Sequence, residues 1–596
     1  MSTTDTPALA SSNTPSSSRL TFGQMLALLI ACTVVIGAGW GIRGAFGHSR
    51  GAMMPGAMLG ATLVVCAMRP DWWRRAAIIM FACSIGWGVG GQSSYGIIIG
   101  YSMGGTLRNS LFGYASLWLV GGLYSGIGAG FLALALTKSR SWLQQFIWPL
   151  TIMYLAWLSL SYLSMLEPLF ESLLGQGEAT VNAWWHHLDF FVQSIEYYEG
   201  GEEARGLTYW LHDTIWACVL LTIVVNGLLW IVVPRWRNAN ALILLLAVGW
   251  FAGMYILIEL LSLRMNPHRA ETWAGVLGMQ VALVGYFISQ RHWVGFMLAS
   301  YGFIAGAIGF SVGDFIQMTG NAKWGPIGEY AWLQEFGYWT VMEQLFGCFM
   351  GFGTAVGLIR LVNKGLAPPE EDTASKSIDL FGLFFVFGPL LVFNFRKPFR
   401  TWMEHDSISD VLFTFPINNV AFFFSFVYLL VLLCMLSKMR KRELALVPAS
   451  HLGQAQLLAF LVNIAVLMMY LLIAQVSASS LFTFVSAIII GLLIIFSKTE
   501  KPVDISNANI PAESFTWFPG LLHWILWPLS AFLLVGLAWT TMQFEMKQKQ
   551  YRFESDVPTP EEEQVVEPPP TTSLFPSIQL PEFVRRDYSL MNDHRS

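Results

Sequence analysis

A glycine-rich segment near the start of the chain carries the first side chains with the types and spacing to do chemistry. Arg43, His48 and Arg50 lie within it. Its eight glycines stand at positions 37, 39, 41, 44, 47, 51, 56 and 60. Because glycine weakens a helix and lets backbone approach a ligand, the segment predicts a discontinuous helix that presents backbone dipoles and cations to an anionic solute. The alternative is close helix packing, with arginines that reach the lipid headgroups.

A second segment of similar composition follows at the end of a later apolar stretch. It contains Arg264, His268 and Arg269 beside the helix-breaking Pro267. Glu259 lies about one helical turn inside the stretch, where a carboxylate is costly unless it is paired or protonated. We interpret Glu259 either as the ion-pair partner of Arg264 or Arg43, or as a coupling site for H⁺ or Na⁺.

Two more acids and one amide lie within or beside apolar stretches. Asp314 is a candidate coupling-ion site, or else a loop aspartate just beyond the bilayer. Glu343 lies deeper in its stretch and is expected to be functional or part of a buried pair. Gln92 follows a run of glycines and joins Arg43, His48, Arg50, Arg264, His268 and Arg269 as a candidate solute-binding residue.

The elements that must position these residues are predicted from composition. Hydrophobic residues make up 55% of the 596 positions and charged residues only 12%, whereas soluble proteins carry about 25% charged residues. This excludes a soluble enzyme, a nucleic-acid-binding protein and a disulfide scaffold, and predicts an all-α polytopic integral membrane protein. We expect about 15 transmembrane helices, near residues 22–45, 52–68, 76–98, 111–137, 145–166, 211–234, 240–263, 272–290, 293–314, 338–361, 379–395, 411–436, 453–476, 479–497 and 517–541.

An internal repeat organises these helices. Residues 85–90 match residues 308–313 at an offset of 223, and the glycines at 122, 126 and 128 match those at 347, 351 and 353 at an offset of 225. Arg43 pairs with Arg264 at an offset of 221. Six spans separate equivalent positions, which preserves orientation, so two parallel six-helix repeats with three additional C-terminal helices are predicted.

The domain boundaries follow from this plan. They are a disordered tail over 1–20, a first repeat over 21–237 with an outer loop at 168–210, a second repeat over 238–442, three further helices over 443–544, and a disordered acidic, proline-rich tail over 545–596. Neither the cysteine nor the histidine spacing predicts a metal site, and no cofactor is expected. Lys and Arg are more frequent in alternate loops, which places the N-terminus in the cytoplasm and the chain in the plasma (inner) membrane.

Three functions are compatible with these features. The first is a secondary transporter of a small, anionic solute, coupled to H⁺ or Na⁺, which predicts that Arg43 and Arg264 converge on one cavity. The second is a membrane-embedded transferase for a lipid-linked or acyl substrate, with His48 or His405 as general base, which predicts a groove that opens to the side. The third is a non-catalytic scaffold subunit. The bilayer and a small solute are the expected partners, and the sequence leaves the oligomeric state open.

Overall fold

The computed structural model describes most of the chain. Its described residues are 19–46, 49–93, 95–103, 105–161, 215–265, 271–370, 376–392, 394, 399, 403, 409–412, 414–441, 485–493, 502–506, 508–516, 521–544 and 550–553. Both predicted tails lie almost wholly outside these residues, as do the loop at 168–210 and the predicted span at 453–476.

The described chain is helical almost throughout. The long helices, numbered α1 to α14, are Phe22–Ile42, Ser49–Cys66, Ala76–Gly90, Gly96–Ser102, Leu107–Thr137, Ile147–Ser161, Ile215–Val232, Arg237–Met254, Thr272–Ser289, Trp293–Asn321, Tyr338–Asn363, Ser377–Phe387, Ile417–Arg440 and Leu521–Thr541. One-turn helices are Arg43–Phe46, Pro70–Trp73, Arg140–Leu143, Gln144–Phe146, Pro234–Trp236, Pro326–Glu329 and Ala331–Gln334, and a π-helical turn, Tyr255–Leu260, extends α8. Among the described residues, the strands Val411–Leu412 and Phe415–Pro416 form one short antiparallel ladder.

Eight helices of the described chain are long and apolar enough to cross a membrane, and four shorter apolar helices accompany them. This confirms an all-α membrane protein. Helical residues lie at each predicted span that falls within the described residues, although the span at 76–98 is interrupted between α3 and α4. The total of about 15 spans and the two-repeat plan stay predictions.

Six helices form a closed ring. α1 packs on α2, α2 on α3, α3 on α5, α5 on α10, α10 on α11, and α11 returns to α1. Glycines allow several of these close crossings. A Cβ added at Gly121 of α5 would lie 2.4 Å from the carbonyl oxygen of Gly306 in α10, and one at Gly351 of α11 would lie 2.1 Å from that of Cys32 in α1. The glycine ridges in these helices therefore serve helix packing.

The remaining long helices flank the ring. α8 packs on α9, α9 contacts α5 and α10, α12 packs on α3, and α14 packs on α5 and α10. The first predicted half thus supplies four ring helices and the second supplies α10 and α11, while α8 and α9 lie beside the ring.

The bundle has two distinct ends. At one, which we call the basic end, Leu20 N donates to Asn363 Oδ1 at 3.0 Å, and Arg69 forms a bidentate ion pair with Asp71. The opposite end, which we call the break end, contains the chain breaks after Ile42 and Gly90. Residues 502–506 and 508–516 pack at the basic end, where Val503 N donates to Met68 O at 2.9 Å.

His292, at the basic end, caps α10 just before that spanning helix begins. Its Nδ1 accepts from Gly295 N at 3.1 Å, so Nε2 carries the proton and donates to Thr137 Oγ1 at 2.8 Å. Burial, together with the Lys138 ammonium, lowers the pKa of His292 to about 3. The folded protein therefore holds a neutral imidazole where an unfolded chain, with a histidine pKa of about 6.5, takes up a proton.

This difference predicts a stability that falls as the pH falls. Between pH 6.5 and pH 3 only the unfolded state binds the extra proton, so the free energy of unfolding decreases by about 1.4 kcal/mol per pH unit. His292→Asn keeps a capping side chain but removes the titration. The free energy of unfolding is measured at pH 7 and at pH 5. Its decrease between the two pH values should be about 2 kcal/mol smaller in His292→Asn than in the wild type. Equal falls in both proteins would contradict the assignment.

Candidate functional site

The glycine-rich segment folds as a helical hairpin. α1 ends at Ile42, a 3-10 turn spans Arg43–Phe46, and α2 begins at Ser49. A Cβ added at Gly39 would lie 2.7 Å from Pro55 Cβ, and one at Gly51 would lie 2.4 Å from the carbonyl oxygen of Arg43. The glycines therefore bring α1 and α2 into close contact, and the expected helix discontinuity is the turn between these two helices.

A second break lies directly beside the first. α3 ends at Gly90 and α4 begins at Gly96. The intervening backbone is held from two sides, since Tyr124 Oη of α5 donates to Ser93 O and Thr272 Oγ1 of α9 donates to Gln92 O at 3.0 Å. The break thereby places Tyr95 inside the ring.

Arg43, Tyr95 and Glu343 form a buried polar group, which we call the Arg43 cluster. Arg43 Nη2 donates to Glu343 Oε1 at 3.3 Å and also to Tyr95 Oη, and Tyr95 Oη in turn donates to Glu343 Oε1. Arg43 is 1% exposed and Glu343 5%. Arg43 and Glu343 thus neutralise each other's charge at the break end. The two residues are far apart in sequence and are joined through the Tyr95 hydroxyl.

Aromatic rings surround this cluster. The Arg43 guanidinium carbon lies 4.8 Å from the ring centroid of Trp40, 5.4 Å from that of Tyr95 and 5.7 Å from that of Tyr124. Phe310 of α10 stacks on Phe346 of α11 at 4.4 Å between centroids, and Trp40 meets Phe346 edge-on at 5.6 Å. Aromatic faces stabilise a desolvated cation, so the ring interior is built to hold the guanidinium.

Trp339 covers the cluster on its outward side. Its indole stacks on Tyr95 at 6.1 Å between centroids and an angle of 25°. Trp339 is 38% exposed, whereas Tyr95 is 4% exposed. The partly exposed Trp339 indole therefore covers one face of the buried Tyr95 ring.

Asp314 lies one helical turn after Phe310 in α10 and is fully buried. Within the part of the chain that the structure describes, neither of its carboxylate oxygens has a hydrogen-bond partner of good geometry, although the Ser102 hydroxyl lies close enough to interact with it. Its polar neighbours are Ser102 and Tyr114, but Ser102 Oγ donates to Ile99 O at 2.7 Å and Tyr114 Oη shares a hydrogen bond with Thr541 Oγ1 at 2.7 Å. A charged carboxylate is costly in such a place unless a proton or a cation neutralises it.

The backbone of Arg264 is bonded to residues that are not part of the Arg43 cluster. Its carbonyl oxygen accepts from Arg552 Nε at 3.3 Å and Nη2 at 3.2 Å, and Arg552 N donates to Asn109 Oδ1 at 2.7 Å. Residues 550–553, which fall in the stretch predicted as a disordered tail, therefore pack at the break end. Glu259 is half-buried in the π-helical turn. Among the predicted residues, the ion pair described above joins Arg43 to Glu343.

Arg50 and Gln92 line a separate, partly enclosed cavity of about 540 Å³. Its walls come mainly from α3, α5, α6, α7 and α8, with one residue each from α9 and α12, and are mainly apolar. Arg43 is not among its lining residues. The candidate solute-binding residues are thus divided between a closed cluster inside the ring and a cavity beside it.

Four predicted residues lie outside the described residues. They are His48, His268, Arg269 and His405. Among the residues that are described, no group of three or more His, Cys, Asp or Glu side chains could hold a metal ion.

Sequence reasoning missed two residues that complete the site. Tyr95 bridges Arg43 and Glu343, and Trp339 covers it. Tyr95 ends the polar run that begins at Gln92, which was a usable signal. No such signal pointed to Trp339, because a tryptophan next to an apolar stretch is also typical of a membrane interface.

No protein-family model, curated protein or solved structure matches this chain. Function is therefore inferred from the chemistry of the described residues. A buried guanidinium with a removable counter-charge can bind an anion, and a buried acid can take up a proton.

Proposed function

We propose that this protein is a secondary transporter that moves a small anionic solute together with H⁺. The observation that carries the proposal is the Arg43–Glu343 ion pair, which is buried inside the helix ring. While Glu343 is ionised, its carboxylate neutralises the positive charge of Arg43. A proton on Glu343 removes that negative charge and leaves the guanidinium free to form charge-assisted hydrogen bonds to the solute.

This exchange couples the two ligands without changing the net charge of the site. With Glu343 ionised and no solute bound, Arg43 and Glu343 sum to zero. With Glu343 protonated and a monovalent anion on Arg43, the sum is again zero. Because an uncompensated charge is costly in this environment, proton and anion are expected to bind together. The helices can then close around the site both when it is empty and when it holds proton and anion.

The second acid, Asp314, supports proton movement. Its carboxyl lies in the same helix as Phe310, which packs against Tyr95 at 4.9 Å between ring centroids. We propose that it takes up and releases a proton during the cycle. Glu259 stays a further candidate for this role, and we propose that Arg264, His268 and Arg269 attract the solute electrostatically.

Binding measured against pH tests the role of Glu343. Organic anions should raise the melting temperature of the purified wild type more at pH 5.5 than at pH 8, since binding needs a protonated Glu343. Glu343→Gln should respond equally at both pH values, because its amide leaves Arg43 permanently available. Glu329→Gln, a change at an exposed acid outside the Arg43 cluster, is the matched control and should keep the pH dependence of the wild type. A pH dependence retained by Glu343→Gln would contradict the coupling scheme.

The proposal includes an orientation in the plasma (inner) membrane. Lys and Arg gather at the basic end, which the positive-inside tendency places in the cytoplasm, together with Leu20. The break end, with residues 550–553, would then face outward. Epitope tags at both chain termini, exposed to protease in right-side-out vesicles, should show a digested C-terminal tag and a protected N-terminal tag. Protection of the C-terminal tag would contradict this orientation.

A transferase that acts on a lipid-linked or acyl substrate is the second candidate. The cavity beside Arg50 favours it, because its walls are apolar and a cation lies at one end. The third candidate is a non-catalytic scaffold subunit. It would show neither anion-dependent stabilisation nor turnover of an acyl substrate.

A further inference from the structure

The cavity beside the ring has an amphipathic lining. Its long walls are apolar, with Phe131 and Met279 among them, whereas Arg50 and Gln92 supply polar groups at the break end. The opposite limit is formed by Trp142 and Phe146, which follow α5 at the basic end. A cavity with one charged end and apolar walls fits a ligand that has an anionic head and a hydrocarbon body.

The dimensions match a lipid chain better than a small solute. Ile78 and Val89 both line the cavity on α3, and their 11-residue separation corresponds to roughly 16 Å along the helix axis. The hydrocarbon core of a bilayer is about 30 Å thick, so the cavity extends over about the depth of one leaflet. An acyl chain that enters from the leaflet at the break end would fill it.

Arg50 determines which kind of headgroup the ligand carries. Arg50 is exposed at the start of α2, where its guanidinium can reach the headgroup region. Guanidinium forms bidentate hydrogen bonds with phosphate, and the Gln92 amide can donate a further one. A zwitterionic headgroup carries its own cation beside the phosphate, so the positive charge of Arg50 favours a headgroup with a net negative charge.

We infer that this cavity binds one anionic phospholipid from the leaflet at the break end, with its phosphate at Arg50 and an acyl chain between α3, α5 and α8. This site is distinct from the Arg43 cluster and does not depend on the transport proposal. Its occupant would fill the space between the ring and the flanking helices, and so stabilise the packing of α6 to α9 against the ring.

Native mass spectrometry of the purified full chain tests this inference. The probes are phosphatidylglycerol and phosphatidylcholine with identical acyl chains, added to the protein in detergent. The wild type should retain one phosphatidylglycerol at collision energies that remove phosphatidylcholine. Arg50→Gln should lower the retention of phosphatidylglycerol about tenfold, as expected for a lost hydrogen bond to a charged group. Ala82→Phe, which fills the cavity from α3, should abolish it.

The control is Arg235→Gln. Arg235 is also exposed, but it stacks on Trp236 and does not line the cavity, so this variant should retain the lipid as the wild type does. Equal retention of both lipids by the wild type would overturn the inference, as would full retention of phosphatidylglycerol by Arg50→Gln. Because Arg50 is exposed, that variant is expected to fold even if Ala82→Phe does not.

Discussion

Single substitutions in the Arg43 cluster should destabilise the protein strongly, and a matched pair of substitutions should restore it. Arg43→Met leaves the Glu343 carboxyl without its counter-charge, and Glu343→Gln leaves a buried guanidinium without one. Removing one partner of a buried ion pair costs about 3–5 kcal/mol. The double variant, Arg43→Met with Glu343→Gln, buries no charge and keeps an acceptor for Tyr95, so its stability should lie within about 1 kcal/mol of the wild type.

A double-mutant cycle measures this coupling. Unfolding free energies in mixed detergent micelles are compared for the wild type, both single variants and the double variant. The expected result is a large non-additive term that favours the matched pairs. Additive losses would show that Arg43 and Glu343 do not form the pair described. A bound organic anion should also restore part of the stability of Glu343→Gln, because it supplies the missing negative charge.

The crossing of α5 and α10 should be a sensitive packing contact in the ring. A Cβ added at Gly306 would lie 2.3 Å from the carbonyl oxygen of Gly121 and 2.9 Å from Ser125 Cβ. Backbone on one side and a buried side chain on the other leave little room for adjustment. Gly306→Ala should therefore lower the free energy of unfolding by about 1–3 kcal/mol, the usual cost of overpacking.

Gly285→Ala in α9 is the matched control. Nothing lies within 4 Å of a Cβ added there, and replacing glycine by alanine inside a helix is favourable by up to about 1 kcal/mol. The two variants should thus change stability in opposite directions when they are unfolded under the same conditions. A loss of stability in Gly285→Ala, or none in Gly306→Ala, would contradict the described crossing.

The class of protein and the places of its helices could be predicted from the sequence, because long apolar stretches in a chain with few charges permit little else. Which helices pack against each other could not be predicted. Hydrophobic periodicity is weak in helices that are apolar on all sides, and nothing in the sequence shows that α1 packs on α11. The Arg43–Glu343 pair depends on that contact, so Glu343 was identified as a buried acid without its partner.

The same limit applies to the other candidates. Arg43 and Arg264 occupy matching positions in the sequence repeat, which predicted a shared cavity. In the structure, α1 belongs to the ring while α8 flanks it, and Arg264 contacts Arg552 instead. Arg50, seven residues from Arg43, points to the cavity outside the ring. Nearness in sequence and position in a repeat did not determine which residues share a site, because helix contacts separate them.

Solute uptake into proteoliposomes is the most direct test of anion transport through the Arg43 cluster. A panel of labelled organic anions is offered with an inward H⁺ gradient to vesicles that contain either the wild type or the stable double variant, Arg43→Met with Glu343→Gln. The wild type should accumulate at least one anion and lose that accumulation when the gradient is dissipated, and the double variant should accumulate none. Accumulation by the double variant equal to that of the wild type, or none of the panel moved by the wild type, would contradict the proposal.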